Sequence, residues 1–204
     1  GTLDIGKNAA LKSSGSYING GTVTSAGIIS VSDDSKITGT HTGGTYTAQG
    51  SISASAEFKP DKLQFTGGLA QSFCNSAATE IGELYIGNKS KNGVSFNSAV
   101  NVTGTVSQSK GAVYSGGRNI VLKGEAVVKG EPLTENISAA GWACSSDAVI
   151  GGIMYTSGDI AIGDNVKLAV TEYRQSSGTL DIGEGGNLQC SGNYINGGTV
   201  TSAG

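Results

Sequence analysis

Apolar and polar residues alternate in short segments along the whole chain. In the opening segment TLDI, Leu3 and Ile5 alternate with polar residues, which is typical of a strand with one buried face. Gly6 ends this segment, Leu11 is the next apolar position, and Asn19–Gly21 is a strong turn signal. β-Branched residues are frequent in these segments, and glycine and asparagine separate them. The pattern predicts many short strands joined by tight turns.

The motif apolar-x-Ile-Gly recurs at intervals that fit the coils of a β-solenoid. It occurs at 84–87, 160–163 and 180–183, and the last two occurrences are consecutive. The apolar positions of the opening segments return as Ile29, Val31 and Ile37, and Ile29 takes the place of Leu3. Both spacings, from 160 to 180 and from 3 to 29, are too long for one hairpin arm and fit three short strands with three turns.

One segment of the chain occurs twice. Residues 1–27 and 178–204 share the unbroken runs GTLDIG and YINGGTVTSAG, at an offset of 177 positions. Such self-similarity at a fixed period is typical of repeat architectures. We therefore expect residues 1–177 to form one repeat unit and residues 178–204 to begin the next.

These patterns predict an all-β fold, a parallel β-helix (β-solenoid) spanning residues 1–204 as a single domain of roughly eight to ten coils. One coil cannot bury its own apolar face, so each coil is expected to stack on its neighbours. The residues expected to carry this end-to-end stacking in the two copies are Leu3, Ile5, Leu11, Leu180, Ile182 and Leu188.

Two stretches interrupt the pattern and are predicted to be loop excursions from the solenoid wall. Residues 57–80 and 131–147 each contain one of the two prolines, which are excluded from central strands. The excursions hold three candidate partner-binding residues, Phe65, Phe73 and Trp142.

Each predicted excursion also holds one cysteine. An odd total of three cysteines cannot pair completely within the chain. Two interpretations stay open: three small buried apolar residues, or one disulfide between Cys74 and Cys144 formed in an oxidising compartment. Ser13 occupies the place of Cys190 in the first copy, so the repeated core requires no thiol there.

Composition narrows the class of protein. The chain has 34 glycines without a strict period of three, which excludes collagen, and its 37% hydrophobic content is too high for a disordered linker. With a net charge of −3 and no Lys/Arg cluster, binding of nucleic acid is not expected. There is no run of about 18 apolar residues, so this segment is not expected to insert into a membrane.

Candidate chemistry is sparse, and we expect no enzyme activity, no cofactor and no metal site. The only histidine, His41, alternates with polar residues and is predicted to be solvated. The pair Asp33-Asp34 fits a turn better than a calcium site, because it lacks the repetition of a calcium-binding roll. Frequent Thr-x-Thr triplets are irregularly spaced, which disfavours an ice-binding face.

The motif apolar-x-Ile-Gly-x-x-x-x-Leu, followed by YINGGTVT, resembles the passenger regions of bacterial autotransporters and of filamentous-haemagglutinin-like adhesins. The resemblance covers about residues 1–50, 81–106 and 153–204. It implies a right-handed parallel β-helix in an extracellular or cell-surface fibrous protein, often adhesive, and it supplies no catalytic residues.

Together these features predict a structural repeat unit of an extracellular or cell-surface fibre, an adhesin or matrix filament, whose partner is another copy of itself. The units would be joined as a covalent tandem array or as separate stacked chains. The alternative is a binding module that holds a glycan or a host surface protein through loops 57–80 and 131–147. A polysaccharide-active enzyme is less expected, because the chain lacks a cluster of acids.

Overall fold

The computed structural model describes residues 1–203, and within that range it contains β-strands and one 3-10 turn (Gly117–Asn119) but no α-helix. The strands, in chain order, are β1 (Thr2–Ile5), β2 (Ala10–Ser13), β3 (Tyr17–Asn19), β4 (Thr22–Ser25), β5 (Ile28–Val31), β6 (Ser35–Ile37), β7 (His41–Thr42), β8 (Thr45–Ala48), β9 (Ile52–Ala54), β10 (Phe58–Lys59), β11 (Lys62–Phe65), β12 (Gln71–Asn75), β13 (Thr79–Ile86), β14 (Val94–Phe96), β15 (Val100–Gln108), β16 (Tyr114–Ser115), β17 (Ile120–Gly124), β18 (Val127–Gly130), β19 (Ile137–Cys144), β20 (Ala148–Ile162), β21 (Lys167–Gln175), β22 (Thr179–Ile182), β23 (Asn187–Cys190), β24 (Tyr194–Asn196) and β25 (Thr199–Ser202).

The strands form a parallel β-solenoid with three faces, which confirms the predicted fold class. In the first four coils, each coil supplies one strand to each face: β1, β2 and β3 make coil 1, and β4, β5 and β6 stack on them in parallel as coil 2. Coils 3 and 4 follow as β7–β9 and β10–β12. The chain completes ten coils, in line with the prediction, and β24 and β25 begin an eleventh.

From coil 5 onward, single strands run across the corners between faces. β13 and β15 each supply the first and second faces of a coil, with a register shift near Gly82 and Gly104 where the strand bends. β19 bends in the same way at Gly141, whose φ of 60° favours glycine. β20 is long enough to contribute to three successive faces. Glycine at these bends lets the hydrogen-bonded wall turn a corner without an interruption.

The coils contain fewer residues than the spacing from Leu3 to Ile29 indicates. Residues that pair in neighbouring coils are Ile29 with Tyr46 and Leu84 with Val106, and both intervals are shorter than the interval from Leu3 to Ile29. That interval describes a coil plus a step to the next face: Ile29 stacks on Leu11 of the second face, whereas Leu3 lies on the first face.

Apolar side chains fill the interior in continuous stacks. Aromatic rings meet edge to face in coils 3 to 6, with centroid distances of 5.3 Å for Tyr46 and Phe58 and 5.5 Å for Phe65 and Phe96. Each pair adds about 0.5–1.5 kcal/mol to the free energy gained from apolar burial alone. The middle coils therefore hold a cluster of aromatic rings in their core.

The two predicted excursions are part of the wall, and this prediction was wrong. Residues 57–80 contain β10, β11 and β12, and residues 131–147 contain β19. Pro60 lies just after β10 at a corner, and Pro132 lies at the corner between β18 and the bridge residue Leu133, so neither removes a donor from a central strand. The longest connection between strands in the first stretch is residues 66–70, where Leu69 is 80% exposed.

A buried amide pair holds this loop. The Nδ2 of Asn88 donates hydrogen bonds to the carbonyl oxygen of Leu69, at 2.7 Å, and to Oε1 of Gln71, at 2.6 Å. The Nε2 of Gln71 donates in turn to the carbonyl oxygens of Ala48 and Gly50. Because buried polar groups need partners, this network fixes the loop path against two neighbouring coils.

Candidate functional site

The second copy of the repeated segment packs on coils 9 and 10 and forms a junction between repeats within the chain. Leu180 pairs with Ile160, and Leu188 pairs with Leu168. Leu180 is fully buried, while Ile182 and Leu188 are partly buried against the core. The structure thus brings the three predicted stacking residues of this copy onto the preceding coils.

Among residues 1–203, the coil 1 strands of the first copy, β1 to β3, are paired only with strands of coil 2. Leu3 pairs with Val23, and Leu11 pairs with Ile29. Leu3 is 43% exposed, although Val23 above it is buried. Ile5, the third predicted stacking residue of this copy, is buried. In the first copy, therefore, the side that faces away from coil 2 is the open one.

The two copies lie on different faces of the solenoid. Strand β1 of the first copy lies on the first face, whereas its counterpart β22 pairs with the second-face part of β20. The YIN strands move likewise: β3 stacks on the third face with β6, and β24 stacks on the first face with β21. One unit, residues 1–177, therefore spans nine coils and one additional face.

The turns of the segment keep their geometry despite this change of face. Ala9 N donates to Gly6 O at 3.0 Å, and Gly186 N donates to Gly183 O at 2.9 Å. The left-handed residue of this turn is Asn8 in the first copy, with φ 71°, and Gly185 in the second, with φ 66°. The segment thus carries its own corner, which works at either of two edges of the solenoid.

The following turn is also the same in both copies. The amide of Gly21 donates to Oδ1 of Asn19 at 2.9 Å, and the amide of Gly198 donates to Oδ1 of Asn196 at 2.7 Å. Such side-chain turns depend only on neighbouring residues, so they do not require a particular face.

Polar and aromatic contacts close the junction between the second copy and the coils before it. Asp159 Oδ1 accepts a hydrogen bond from the amide of Thr179, and Asp164 Oδ1 accepts one from the amide of Glu184, both at 2.9 Å. Tyr173 stacks on Tyr194 with ring centroids 5.6 Å apart. These contacts add to the parallel ladders and make the second copy a continuous part of the wall.

The three candidate partner-binding residues lie in the core, which corrects their expected role. Phe65 and Phe73 have no exposed surface, and Trp142 is 1% exposed. Trp142 donates its indole N–H to the carbonyl oxygen of Ala126 at 2.7 Å. Because all three side chains point inward, none of them can hold a partner on the outside of the solenoid. The large apolar side chains of these two stretches are the sequence signal that favours core positions over loops.

Neither of the two open interpretations of the cysteines describes the structure fully: within residues 1–203 all three are free thiols, without the possible Cys74–Cys144 disulfide, and only Cys144 is buried. Cys74 is exposed on the third face of coil 4, and Cys144 is buried on the second face of coil 8. Four coils separate them by about 19 Å along the axis, whereas a disulfide needs Cα atoms within about 7 Å. Burial raises the pKa of the Cys144 thiol to about 11, which keeps it protonated.

His41 is buried rather than solvated, which corrects a second expectation. Its partners in the first-face stack are Val23 and Phe58, and this register turns the imidazole inward. The ring lies 5.2 Å from Tyr46 and 5.3 Å from Phe58, and neither ring nitrogen has a hydrogen-bond partner in the described part of the chain. Burial lowers the pKa of His41 to about 4, against a smaller opposing effect of the Gly43 backbone.

Two grooves lie on the outer wall of the C-terminal half. One, of about 520 Å³, runs along the second face beside Glu125, Asp159 and Asp181. The other, of about 450 Å³, runs along the first face beside Arg118, Tyr155 and Arg174. Neither groove has a signal in the sequence, because their residues come from coils that are neighbours only in the folded chain.

Among residues 1–203, no three His, Cys, Asp or Glu side chains are grouped so that they could hold a metal ion. The same residues include no helix with the length and apolar character needed to span a membrane. Comparisons with protein-family models, with curated proteins and with solved structures found no match for this chain.

Proposed function

We propose that this chain is a structural repeat unit of a long β-solenoid fibre, in which each unit, of the length of residues 1–177, continues directly into the next. The observation that carries the proposal is the junction at residues 178–204, where a second copy of residues 1–27 is already built into the wall. The resemblance of its motifs to those of bacterial surface β-helices supports a place outside the cell, in adhesion or in a matrix.

The junction also supplies a partner for the open side of the first copy. Strands β22, β23 and β24 have their lower edges paired with β20 and β21. Strands β1, β2 and β3 have nearly the same sequence, and among residues 1–203 each pairs on one edge only. The end of a preceding unit therefore fits them in the register seen for the second copy. Unpaired parallel edges favour the addition of further strands.

Covalent continuation fits the repeat better than stacking of separate chains. In a tandem array, the second copy of one unit is the first copy of the next, and every coil meets its usual neighbours. Stacking of two separate chains of this sequence would place one copy of residues 1–27 directly on another. In the structure the second copy stacks on residues 160–175, and the first copy lies under residues 28–42.

The step between the two copies sets the geometry of the array. Nine coils and one face at about 4.8 Å per coil give a rise of about 45 Å per unit. Each unit is turned by one face relative to the last, so the fourth unit has the orientation of the first. A surface feature of the unit would thus appear on all three sides of the fibre.

A chain of three complete units followed by residues 178–204 tests this proposal against residues 1–204 alone. We expect small-angle X-ray scattering to show a rod of unchanged cross-section whose length grows by about 45 Å for each added unit. A gold label on the exposed Cys74 of each unit should appear on three different sides in electron micrographs. Compact beads on a flexible string, or labels aligned on one side, would contradict the array as described.

The binding-module alternative loses its expected site, because loops 57–80 and 131–147 are mostly wall and their aromatic residues are buried. A binding role would have to use the outer surface of the faces.

A further inference from the structure

Both arginines of the chain lie against the same tyrosine. Arg118 and Arg174 are far apart in the sequence, which contains no other arginine. The Cζ of Arg118 lies 4.0 Å from the centroid of the Tyr155 ring, and the Cζ of Arg174 lies 5.8 Å from it. A guanidinium at such distances is attracted to the aromatic face and loses part of its conformational freedom before any ligand binds.

The stacking of the first face brings these side chains together. Ser138, Tyr155 and Arg174 pair in successive coils and form one outward column. Arg118 approaches from the 3-10 turn before β17, and its carbonyl oxygen accepts a hydrogen bond from Ser138 Oγ at 2.8 Å. Because Ser138 is small, the Arg118 side chain can pass over it to reach the tyrosine.

A groove of about 450 Å³ lies beside this cluster. Small residues line it, among them Ala140, Ser157 and Ser176, which are partly or fully accessible on the outer surface. Serine hydroxyls can both donate and accept hydrogen bonds, as the hydroxyl groups of a sugar require. The groove is open to solvent, and its lining combines these hydroxyl groups with a larger share of apolar surface, which suits the hydroxyl groups and the C–H faces of a sugar.

The charges in the groove indicate an anionic ligand of modest charge density. Arg174 is paired with Glu172, whereas Arg118 forms no ion pair within residues 1–203. One free guanidinium presents a planar fork that matches a carboxylate with two parallel hydrogen bonds. Nucleic acids carry one phosphate per nucleotide and need several cations in a row, which this face does not offer.

We propose that this groove binds a polysaccharide that carries carboxylate groups, with Arg118 holding one carboxylate and the serine hydroxyls contacting neighbouring sugar hydroxyls. Tyr155 positions the guanidinium of Arg118, and Glu172 holds Arg174 at the side of the groove. The proposal depends on the folded wall of coils 7 to 10 and not on the existence of a tandem array.

Titration of residues 1–204 with an oligogalacturonate, followed by calorimetry, tests this site. The matched probe is the same oligosaccharide with its carboxylates methyl-esterified, which keeps the sugars and removes the charge. We expect the acid form to bind at least about tenfold more tightly than the ester, because charge-assisted hydrogen bonds to the guanidinium are lost in the ester. No binding of the acid form, or equal binding of both forms, would overturn the proposal.

Variants then assign the binding to Arg118. Arg118→Gln should weaken binding by about tenfold or more, and Arg118→Lys should restore only part of it, since an ammonium cannot form the planar fork. Lys129→Gln is the control, because it removes one exposed positive charge from the second face of coil 7. Equal effects of Arg118→Gln and Lys129→Gln would show that net charge alone drives binding and would overturn the assigned site. Tighter binding of a single-stranded oligonucleotide of the same length would replace the polysaccharide with a nucleic acid.

Discussion

Leu3 and Leu180 occupy the same position of the repeated segment, yet Leu3 is 43% exposed on the first face and Leu180 is fully buried on the second. The difference has a direct cause. Ile160 of the preceding coil pairs with Leu180 on the lower side, whereas among residues 1–203 Leu3 pairs only with Val23, on its upper side. The leucine at this position of the repeat is therefore fully buried at the junction and only partly buried in coil 1.

This difference predicts unequal effects of two otherwise identical substitutions. Leu180→Ala should cost at least about 2 kcal/mol, because a fully buried leucine is lost and a cavity remains. Leu3→Ala should cost about 1 kcal/mol or less, because part of its surface is already in water. In a solenoid each coil contacts only its neighbours, so the cost of Leu180→Ala should appear locally.

Amide hydrogen exchange measures this local cost. We expect exchange in β22, β24 and β25 to accelerate by roughly thirtyfold in Leu180→Ala, with coils 1 to 8 unchanged. Leu3→Ala should accelerate exchange in β1 by less than about tenfold. Uniform acceleration across all coils, or equal effects of the two variants, would show that the junction does not hold the second copy as described.

Because His41 is buried in its neutral form, we expect the free energy of unfolding to fall on mild acidification. Its pKa is lowered to about 4 in the folded chain, while an unfolded histidine titrates near 6.5. Between these values the unfolded state binds the proton and the folded state does not, so the contribution of His41 to the free energy of unfolding rises with pH from about 4 to about 6.5 and is level above. The full difference is about 3 kcal/mol.

Urea unfolding of the native chain and of His41→Phe across this pH range measures the effect. Carboxylates titrate in both proteins and cancel in the comparison, so the native chain should lose more stability than the variant below about pH 6.5. His41→Leu provides a second replacement in case the larger ring strains the core. Parallel pH profiles of native and substituted chains would show that His41 does not titrate in the unfolding reaction.

The architecture could be predicted from the sequence, because a period-two pattern with glycine at the corners describes a wall whose local contacts repeat. The position of His41 could not, because the direction of its side chain depends on the register with Val23, and a shift of one residue reverses it. The sequence predicts a loop around Phe65 and Phe73 because a proline precedes them, whereas in the structure Pro60 lies at a corner between two strands of the wall. The first-face groove could not be predicted from the sequence, because Arg118 and Tyr155 belong to different coils and meet only in the folded chain.

Substitution of Phe73 should cause a large loss of stability, because the residue is buried; a surface residue with a binding role would cause little loss. Its ring lies 6.2 Å from Phe65 and 6.3 Å from both Phe58 and Phe96, and it has no exposed surface. Phe73→Ala should therefore lower the free energy of unfolding by about 3–5 kcal/mol. Leu69 is the control from the same stretch, since it is 80% exposed and Leu69→Ala should change stability by less than about 0.5 kcal/mol. Circular dichroism during urea unfolding gives both values, and similar midpoints for the two variants would contradict the buried position of Phe73.

We expect the three cysteine thiols of the native chain to be alkylated in a fixed order, set by their exposure and pKa. Cys74 is exposed, Cys190 is partly buried with a raised pKa, and Cys144 is buried with its pKa raised to about 11. Only the thiolate reacts, and it needs access to the reagent. At about pH 8, iodoacetamide should therefore modify Cys74 first and Cys190 more slowly, while Cys144 reacts only after denaturation.

Peptide mass spectrometry under non-reducing conditions follows this order and tests for a disulfide at the same time. We expect three separate cysteine peptides, without a linked pair, because Cys74 and Cys144 lie four coils apart and on different faces. Cys74→Ser removes the fast phase and should leave the slower modification of Cys190 unchanged, which assigns the phases. A linked Cys74–Cys144 peptide, or alkylation of Cys144 as fast as that of Cys74, would require coils 4 and 8 to be arranged differently from the stacked solenoid.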